Sequence, residues 1–198
     1  GDDYIFIDNR DGSISCPEAL CINMCDRHYG IGGDGIVLIE DSSKADAKMR
    51  IFNKDGKEAP TGGNAIRCVA KYLYEKGIVR KNDMKIETTA SGVKDVKAYS
   101  FSGKVNSASV NLGKVELAGK NIPSIWDEEK IVGKRVNIGG VDYDITLVNV
   151  GNPHCVVFCD KVDAIDVEAV GSEFEKIYAS SFMFDDRDVA VWPAQAIN

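Results

Sequence analysis

Three polar, glycine-rich segments contain the residues of this sequence whose types and spacing could do chemistry. They are Gly1-Asp2-Asp3, Asn53 with Gly62-Gly63-Asn64, and Gly151-Asn152-Pro153-His154. Each is expected where a strand ends or a helix begins. The first turn of a helix offers unpaired N–H groups and a partial positive charge, so the turn at Gly63 could hold a carboxylate or a phosphate. The alternative is structural: the glycines make tight turns and Asn64 caps the helix.

Other residue types give weaker signals. The run from Gly30 to Gly35 resembles a phosphate loop only loosely, because it precedes a strand and lacks a Lys-Ser or Lys-Thr pair. There is no Cys-x-x-Cys pair and there are only two histidines, so no metal site is expected. Reduced, buried packing is the expected role of the cysteines, which are Cys16, Cys21, Cys25, Cys68, Cys155 and Cys159.

The clearest predicted element is a helix over residues 65–77, directly after the second segment. Asn64 is predicted as its N-cap and Gly77 as its C-cap. The apolar residues that recur at the spacing of one helical face are Ile66, Val69, Ala70 and Leu73.

Short apolar runs predict the remaining elements. Helices are expected from 17 to about 29 and from 163 to about 176, whereas 177–198 has no clear periodicity. Strands are expected near 4–7, 36–39, 49–53, 85–88, 93–99, 105–112, 136–138, 143–150 and 155–158. Short turns and the lack of β-α-β alternation predict an α+β class with mostly antiparallel sheet, and the linker at about 113–127 predicts a domain boundary.

Composition and charge exclude several classes of protein. The 198 residues are 44% hydrophobic, which excludes a disordered chain, and the net charge of −7 argues against nucleic-acid binding. No apolar run approaches the ~20 residues of a membrane span, and no secretory signal is visible at the first residues. A cytoplasmic protein without nucleic-acid or membrane partners is therefore expected.

Five motifs occur in a specific order between residue 1 and about residue 176. They are Gly1-Asp2-Asp3-Tyr4-Ile5-Phe6-Ile7-Asp8, Cys25-Asp26-Arg27-His28-Tyr29-Gly30-Ile31-Gly32-Gly33-Asp34-Gly35, Phe52-Asn53-Lys54-Asp55-Gly56-Lys57-Glu58-Ala59, Gly63-Asn64-Ala65-Ile66-Arg67-Cys68 and Gly151-Asn152-Pro153-His154. In this order and with similar spacing, they resemble the motifs of the diaminopimelate epimerase family.

The resemblance implies a cofactor-free isomerase of lysine biosynthesis that interconverts LL- and meso-diaminopimelate. The family has two α+β domains, each a mostly antiparallel sheet around a central helix; here they would be 1–115 and a partial second domain, 116–198. One cysteine from each domain flanks the α-carbon of the substrate. One removes the proton as a thiolate and the other returns a proton to the opposite face. Helix N-termini lower the thiol pKa and bind the α-carboxylate.

The resemblance also assigns substrate-binding positions. They are Asp2, Asn53, Gly63, Asn64, Asn152 and His154. Asp2 stands where the family usually has asparagine, and an ionised carboxylate would repel a substrate carboxylate. His28 is expected to be structural.

The sequence departs from the family pattern at the catalytic positions. Gly62 occupies the position of the first catalytic cysteine, so no catalytic residue is assigned. Cys68 lies roughly 9 Å further along the helix axis and cannot reach the same α-carbon. The family's second Cys-Gly-Thr-Gly loop does not follow residue 176, and the first strand starts late, so a truncated and altered chain is expected.

Two classes of function remain open from the sequence. In the first, the chain would be an altered diaminopimelate epimerase with a small amino-acid substrate and, as in the family, a homodimeric state. Alternatively, it is a degenerate relative that binds an amino acid or a partner without catalysis. A dehydratase that uses Thr61 is the weakest alternative, because it would require a shift of the neighbouring motif.

Overall fold

The chain divides into two units, Gly1–Gly113 and Lys114–Asn198. The computed structural model describes residues 3–59, 62–122, 124, 126, 128–150, 153–161, 164–179 and 189–193. Each unit has its own sheet and its own apolar core. That the units correspond to one complete and one partial epimerase-like domain, over 1–115 and 116–198, stays a prediction.

A mixed sheet forms the framework of the first unit. Its strands are β1 (Tyr4–Asp8), β2 (Gly35–Glu40), β3 (Ala47–Asn53), β4 (Glu58–Ala59), β5 (Asp83–Thr88), β6 (Gly92–Phe101) and β7 (Lys104–Val110). Their order is β1-β2-β3-β5-β6-β7, with β4 paired to β3. The pairs β1–β2 and β3–β5 are parallel and the others are antiparallel, so the predicted α+β class with mostly antiparallel pairing is confirmed.

Strand β2 is buried on both faces, because a helix covers each side of the sheet at this point. Side chains alternate between the two faces along a strand. Leu38 packs in the core that contains the buried residues of α1 (Pro17–Cys25). Val37 packs in the core that contains the buried face of α2 (Gly63–Glu75). The sheet therefore has two separate apolar cores, of which the one on the α2 side is larger.

The predicted apolar face of α2 is confirmed, and its predicted N-cap is wrong. Ile66, Val69 and Leu73 are fully buried against the sheet. The helix begins at Gly63, so Asn64 lies inside its first turn and Gly62 is the N-cap residue, with extended backbone. At the other end Gly77 has a φ of +69°, the left-handed conformation in which glycine commonly ends helices.

Helix α1 ends at Cys25, earlier than predicted, because the glycine run folds back onto its last turn. The N–H of Gly30 donates to the carbonyl of Asp26 at 2.9 Å, and the N–H of Gly32 donates to the carbonyl of Met24 at 2.9 Å. A Cβ at Gly30 would lie 2.3 Å from the carbonyl oxygen of Asn23, so only glycine fits there. The run therefore terminates a helix, consistent with its failure to match a phosphate loop.

The second unit contains a smaller sheet and one helix. Its elements are β8 (Lys134–Ile138), β9 (Val141–Asn149), β10 (Pro153–Cys159), α3 (Val167–Ala179) and β11 (Val189–Pro193). The strand order is β11-β10-β9-β8, and β11 runs parallel to β10 in the segment for which the sequence predicts no regular element. Phe174 of α3 is buried, with its ring centroid 5.2 Å from that of Tyr143. No helix within the described residues combines the length and apolar composition needed to cross a membrane.

Candidate functional site

Asn53 is the last residue of β3, and both its N–H and its carbonyl form main-chain hydrogen bonds to the turn that follows. Its N–H donates to the carbonyl of Lys57 at 2.9 Å, and its carbonyl accepts from the N–H of Gly56 at 2.7 Å. The side chain is half-buried, and its amide has no hydrogen-bond partner among the described residues. Asn53 is thus a fixed residue with an amide available to a ligand.

The start of α2 is an uncapped helix N-terminus. Its first main-chain hydrogen bond runs from the N–H of Ile66 to the carbonyl of Gly62 at 3.0 Å. The N–H groups of Gly63, Asn64 and Ala65 therefore have no partner within the helix. No side chain caps this end, and the first turn contains no acidic residue. Such an end favours a bound anion.

Asn53 and the start of α2 lie on the same side of the sheet. A Cβ at Gly62 would be 2.7 Å from Cδ1 of Ile51 on β3. Ile51 belongs to the core on the α2 side, and residues two apart on a strand share a face, so the Asn53 side chain projects to that side too. The structure thereby places four of the predicted positions, namely Asn53, Gly62, Gly63 and Asn64, on one side of the sheet of the first unit.

The other predicted site residues lie in the second unit or outside the described residues. Asp2 and Asn152 lie outside the described residues, as does Thr61. His154 lies on β10 of the second unit, half-buried, with Val148 opposite it on β9. A substrate-binding role for His154, Asp2 and Asn152 therefore stays a prediction.

No cysteine stands at the start of α2. Burial raises the pKa of the Cys155 thiol to about 12, and burial together with a hydrogen bond to Cys21 raises that of Cys25 to about 12. Both thiols are thus protonated at neutral pH and unsuited to remove a proton. Cys16 and Cys68 are exposed, so the prediction that the cysteines are buried is wrong for these two.

A charged cluster that the sequence reasoning missed anchors the chain before β1. The guanidinium of Arg27 donates to both carboxylate oxygens of Asp3 at 2.9 Å and to Asp34 at 3.2 Å. These bonds to Arg27 lower the pKa of Asp3 to about 2. The N–H of Asp34 also donates to the carbonyl of Asp3 at 3.0 Å. The signal was available in the sequence, since Arg27 and Asp34 belong to the second motif.

Comparison with solved structures defines the class of fold. The fold matches a probable proline racemase from Agrobacterium radiobacter, with a TM-score of 0.58 and 17% identity over 81% of this chain and 47% of the other. It also matches a PhzF-family phenazine biosynthesis protein from Bacillus anthracis, with a TM-score of 0.57 and 16% identity over 90% of this chain and 58% of the other. At these identities the likeness establishes the shared α+β fold.

Sequence comparison then identifies the family. The sequence model of the diaminopimelate epimerase family matches residues 1–118. The diaminopimelate epimerase of Desulfovibrio desulfuricans is 41% identical over 181 residues, and that of Pelotomaculum thermopropionicum is 42% identical over 178 residues. In both cases the match covers 88% of this chain and 63% of the relative. The chain belongs to the diaminopimelate epimerase family, as its motifs predicted.

Proposed function

We propose that the protein keeps the substrate-binding function of its family, whose isomerases interconvert LL- and meso-diaminopimelate in lysine biosynthesis. We further propose that its first unit supplies one substrate-binding half of that site. The observation that carries the proposal is the uncapped start of α2 on the same side of the sheet as the Asn53 amide, which has no hydrogen-bond partner among the described residues. The comparisons support the isomerase class through family membership.

The chemistry of the substrate fits this half-site. Diaminopimelate has an α-carboxylate, and the N–H groups of Gly63, Asn64 and Ala65, which have no partner within α2, can donate to it. The absence of acidic residues from the first turn of α2 avoids repulsion of that carboxylate. The Asn53 amide can both donate and accept, so it suits the neighbouring polar groups of an amino acid. No cofactor is needed to hold such a ligand.

The glycine at position 62 determines whether this chain can move the α-proton of a bound substrate. In the family pattern this position holds a thiolate that moves the α-proton, and glycine has no group that can do so. The neutral, buried Cys25 and Cys155 do not replace it. We therefore propose that the chain, as its sequence stands, binds diaminopimelate without inverting its α-carbon.

Calorimetric titration with meso-diaminopimelate, combined with proton NMR in D2O, tests the proposal. We expect saturable binding, no binding of 1,5-diaminopentane, which lacks the carboxylates, at the same concentrations, and no loss of the α-proton signal. Loss of the signal at an enzyme-like rate would show that the interpretation of Gly62 is wrong. Absence of binding would refute the proposed function.

A cytoplasmic location and a homodimeric state belong to the same proposal and are supported by family membership. The 21.5 kDa chain would then have twice that mass in solution. Light scattering after gel filtration measures this mass, and the monomer mass at micromolar concentration would contradict the homodimer.

A further inference from the structure

Two buried thiols lie directly beneath the end of β3. Sγ of Cys21 is 3.0 Å from the carbonyl oxygen of Asn53 and 3.4 Å from that of Phe52. Sγ of Cys25 is 3.7 Å from Sγ of Cys21. Cys21 is fully buried and Cys25 nearly so. A thiol that merely fills space would contact apolar atoms, whereas this one reaches two main-chain carbonyls of one strand.

The direction of these hydrogen bonds follows from the groups involved. A carbonyl oxygen only accepts and a thiol has one hydrogen, so Cys21 donates to the carbonyls and its sulfur accepts from Cys25. The raised pKa of Cys25, about 12, keeps this thiol protonated and able to donate. The result is a chain of donors that runs from Cys25 through Cys21 to the carbonyl of Asn53.

We propose that Cys21 is a positioning residue for Asn53. This inference rests on the proposed function, in which the Asn53 amide contacts diaminopimelate. Strand β3 ends at Asn53, and the carbonyl of this last strand residue accepts hydrogen bonds from the N–H of Gly56 and the thiol of Cys21. The hydrogen bond from Gly56 stabilises the turn that follows β3, and the hydrogen bond from Cys21 connects the end of β3 to α1.

Loss of the thiol hydrogen bond has a consequence for the side chain. Without the thiol, the peptide between Asn53 and Lys54 is held by two hydrogen bonds, from the N–H of Gly56 to its carbonyl and from its own N–H to the carbonyl of Asp34 at 2.9 Å. The carbonyl of Asn53 can then tilt within these restraints, and the direction of the Asn53 side chain shifts slightly with it. Small displacements of a contacting group are enough to weaken a bound ligand. Cys21 thus acts on the substrate site from the opposite face of the sheet, without touching substrate.

Three variants of the full chain test this role. Cys21→Ala removes the donor, and Cys21→Ser replaces the thiol donor with a hydroxyl. Cys25→Ala is the matched control, because it deletes a thiol from the same core while leaving Cys21 free to donate to Asn53. Triple-resonance NMR measures the chemical shifts of the Asn53 carbonyl and of its side-chain amide. Calorimetry with meso-diaminopimelate measures the binding affinity.

We expect Cys21→Ala to shift both Asn53 resonances and to weaken diaminopimelate binding about fivefold, the effect of one ordinary hydrogen bond. Cys21→Ser should restore the Asn53 resonances and the affinity for diaminopimelate. Cys25→Ala should have an affinity within about twofold of that of the unmodified chain. Unshifted Asn53 resonances in Cys21→Ala, or equal effects of the two alanine variants, would overturn the proposal. If Cys21→Ala fails to fold, Cys21→Ser against Cys25→Ala decides: an Asn53 disturbed equally in both would overturn it.

The two proposals fail in distinguishable ways. If the unmodified chain does not bind diaminopimelate, the proposed function fails, and the Asn53 resonances still decide whether Cys21 positions this residue. If the chain binds and the affinity of Cys21→Ala is unchanged, only the positioning role fails.

Discussion

Under the proposed function, the glycine at position 62 is compatible with substrate binding, but it has no group that can transfer the α-proton. Gly62→Cys would place a thiol at the start of α2, where free N–H groups lower a thiol pKa. One base can return a proton only to the face from which it was taken. We expect the variant to exchange one α-hydrogen of diaminopimelate for deuterium with retention of configuration, without interconverting LL and meso forms. Proton NMR and chiral chromatography measure the two events.

Gly62→Ser is the matched control for this prediction, because it adds the same Cβ without a thiolate. In both variants the Cβ meets the terminal Cδ1 of Ile51, which can turn aside, so each should cost about 1 kcal/mol of stability. Epimerisation by Gly62→Cys alone would contradict the two-base argument. Equal, negligible exchange in both variants would contradict the placement of Gly62 beside the α-carbon.

Asn64 offers a second prediction at the scale of the residue. It lies inside the first turn of α2, and its Oδ1 accepts from the guanidinium of Arg67. Since Asn64 does not cap the helix, Asn64→Ala should change the free energy of unfolding by less than about 0.5 kcal/mol. It should weaken diaminopimelate binding roughly tenfold, as expected for a bond to a charged group.

Urea unfolding and calorimetry measure these two quantities. Glu75→Gln, at the other end of α2, is the control that should leave the affinity unchanged. A loss of about 1 kcal/mol or more on Asn64→Ala would indicate a capping role after all.

The residue types predicted candidate site positions one by one, but the environments of the side chains were not predictable. Cys21 and Cys68 are both cysteines within helices, yet one is buried under β3 and the other faces solvent. Burial depends on which face of each helix meets the sheet, and that is a tertiary property. For the same reason the contact of Cys21 with the Asn53 carbonyl could not be derived from the sequence.

At the scale of the element, prediction succeeded where local pattern and tertiary packing agree. The apolar face of α2 has a strong helical period, and it is the face that packs. Helix α1 was predicted too long, because the contact of Gly30 with Asn23 that ends it is steric and specific to the folded loop. β11 was missed because its pairing partner, β10, is distant in sequence.

The anchor of β1 predicts a pH dependence. Asp3 has its pKa lowered to about 2 by the hydrogen bonds from Arg27, against an ordinary value of 3.8. A lowered carboxyl pKa contributes stability that is present above about pH 4 and is lost as pH falls through 2. The contribution is small because the pair is exposed to solvent. Arg27→Ala should return the Asp3 pKa toward 3.8.

Carbon-13 NMR of the Asp3 carboxyl through an acid titration measures this shift. Arg135→Ala is the control, since Arg135 forms a similar exposed pair with Asp144 in the second unit. It should leave the pKa of Asp3 at about 2. An Asp3 pKa that stays near 2 in Arg27→Ala would show that Arg27 is not its cause.

At the scale of the whole molecule, the separate apolar cores of the two units imply two unfolding events. The buried faces of α1 and α2 belong to the first unit, and that of α3 belongs to the second. Units with separate cores can unfold independently. The chain spans 63% of the length of its Desulfovibrio relative, so the prediction concerns the units as they occur in these 198 residues.

Tryptophan fluorescence separates the two events, because both tryptophans, Trp126 and Trp192, belong to the second unit. Fluorescence therefore follows that unit alone, whereas far-UV circular dichroism follows both. We expect the two signals to give different midpoints in urea.

Leu73→Ala should cost the first unit about 2–5 kcal/mol, because Leu73 is fully buried on α2, and should move only the circular dichroism transition. Leu147→Ala in the second core should move the fluorescence transition instead. Coincident transitions that both variants shift together would mean that the two units unfold as one.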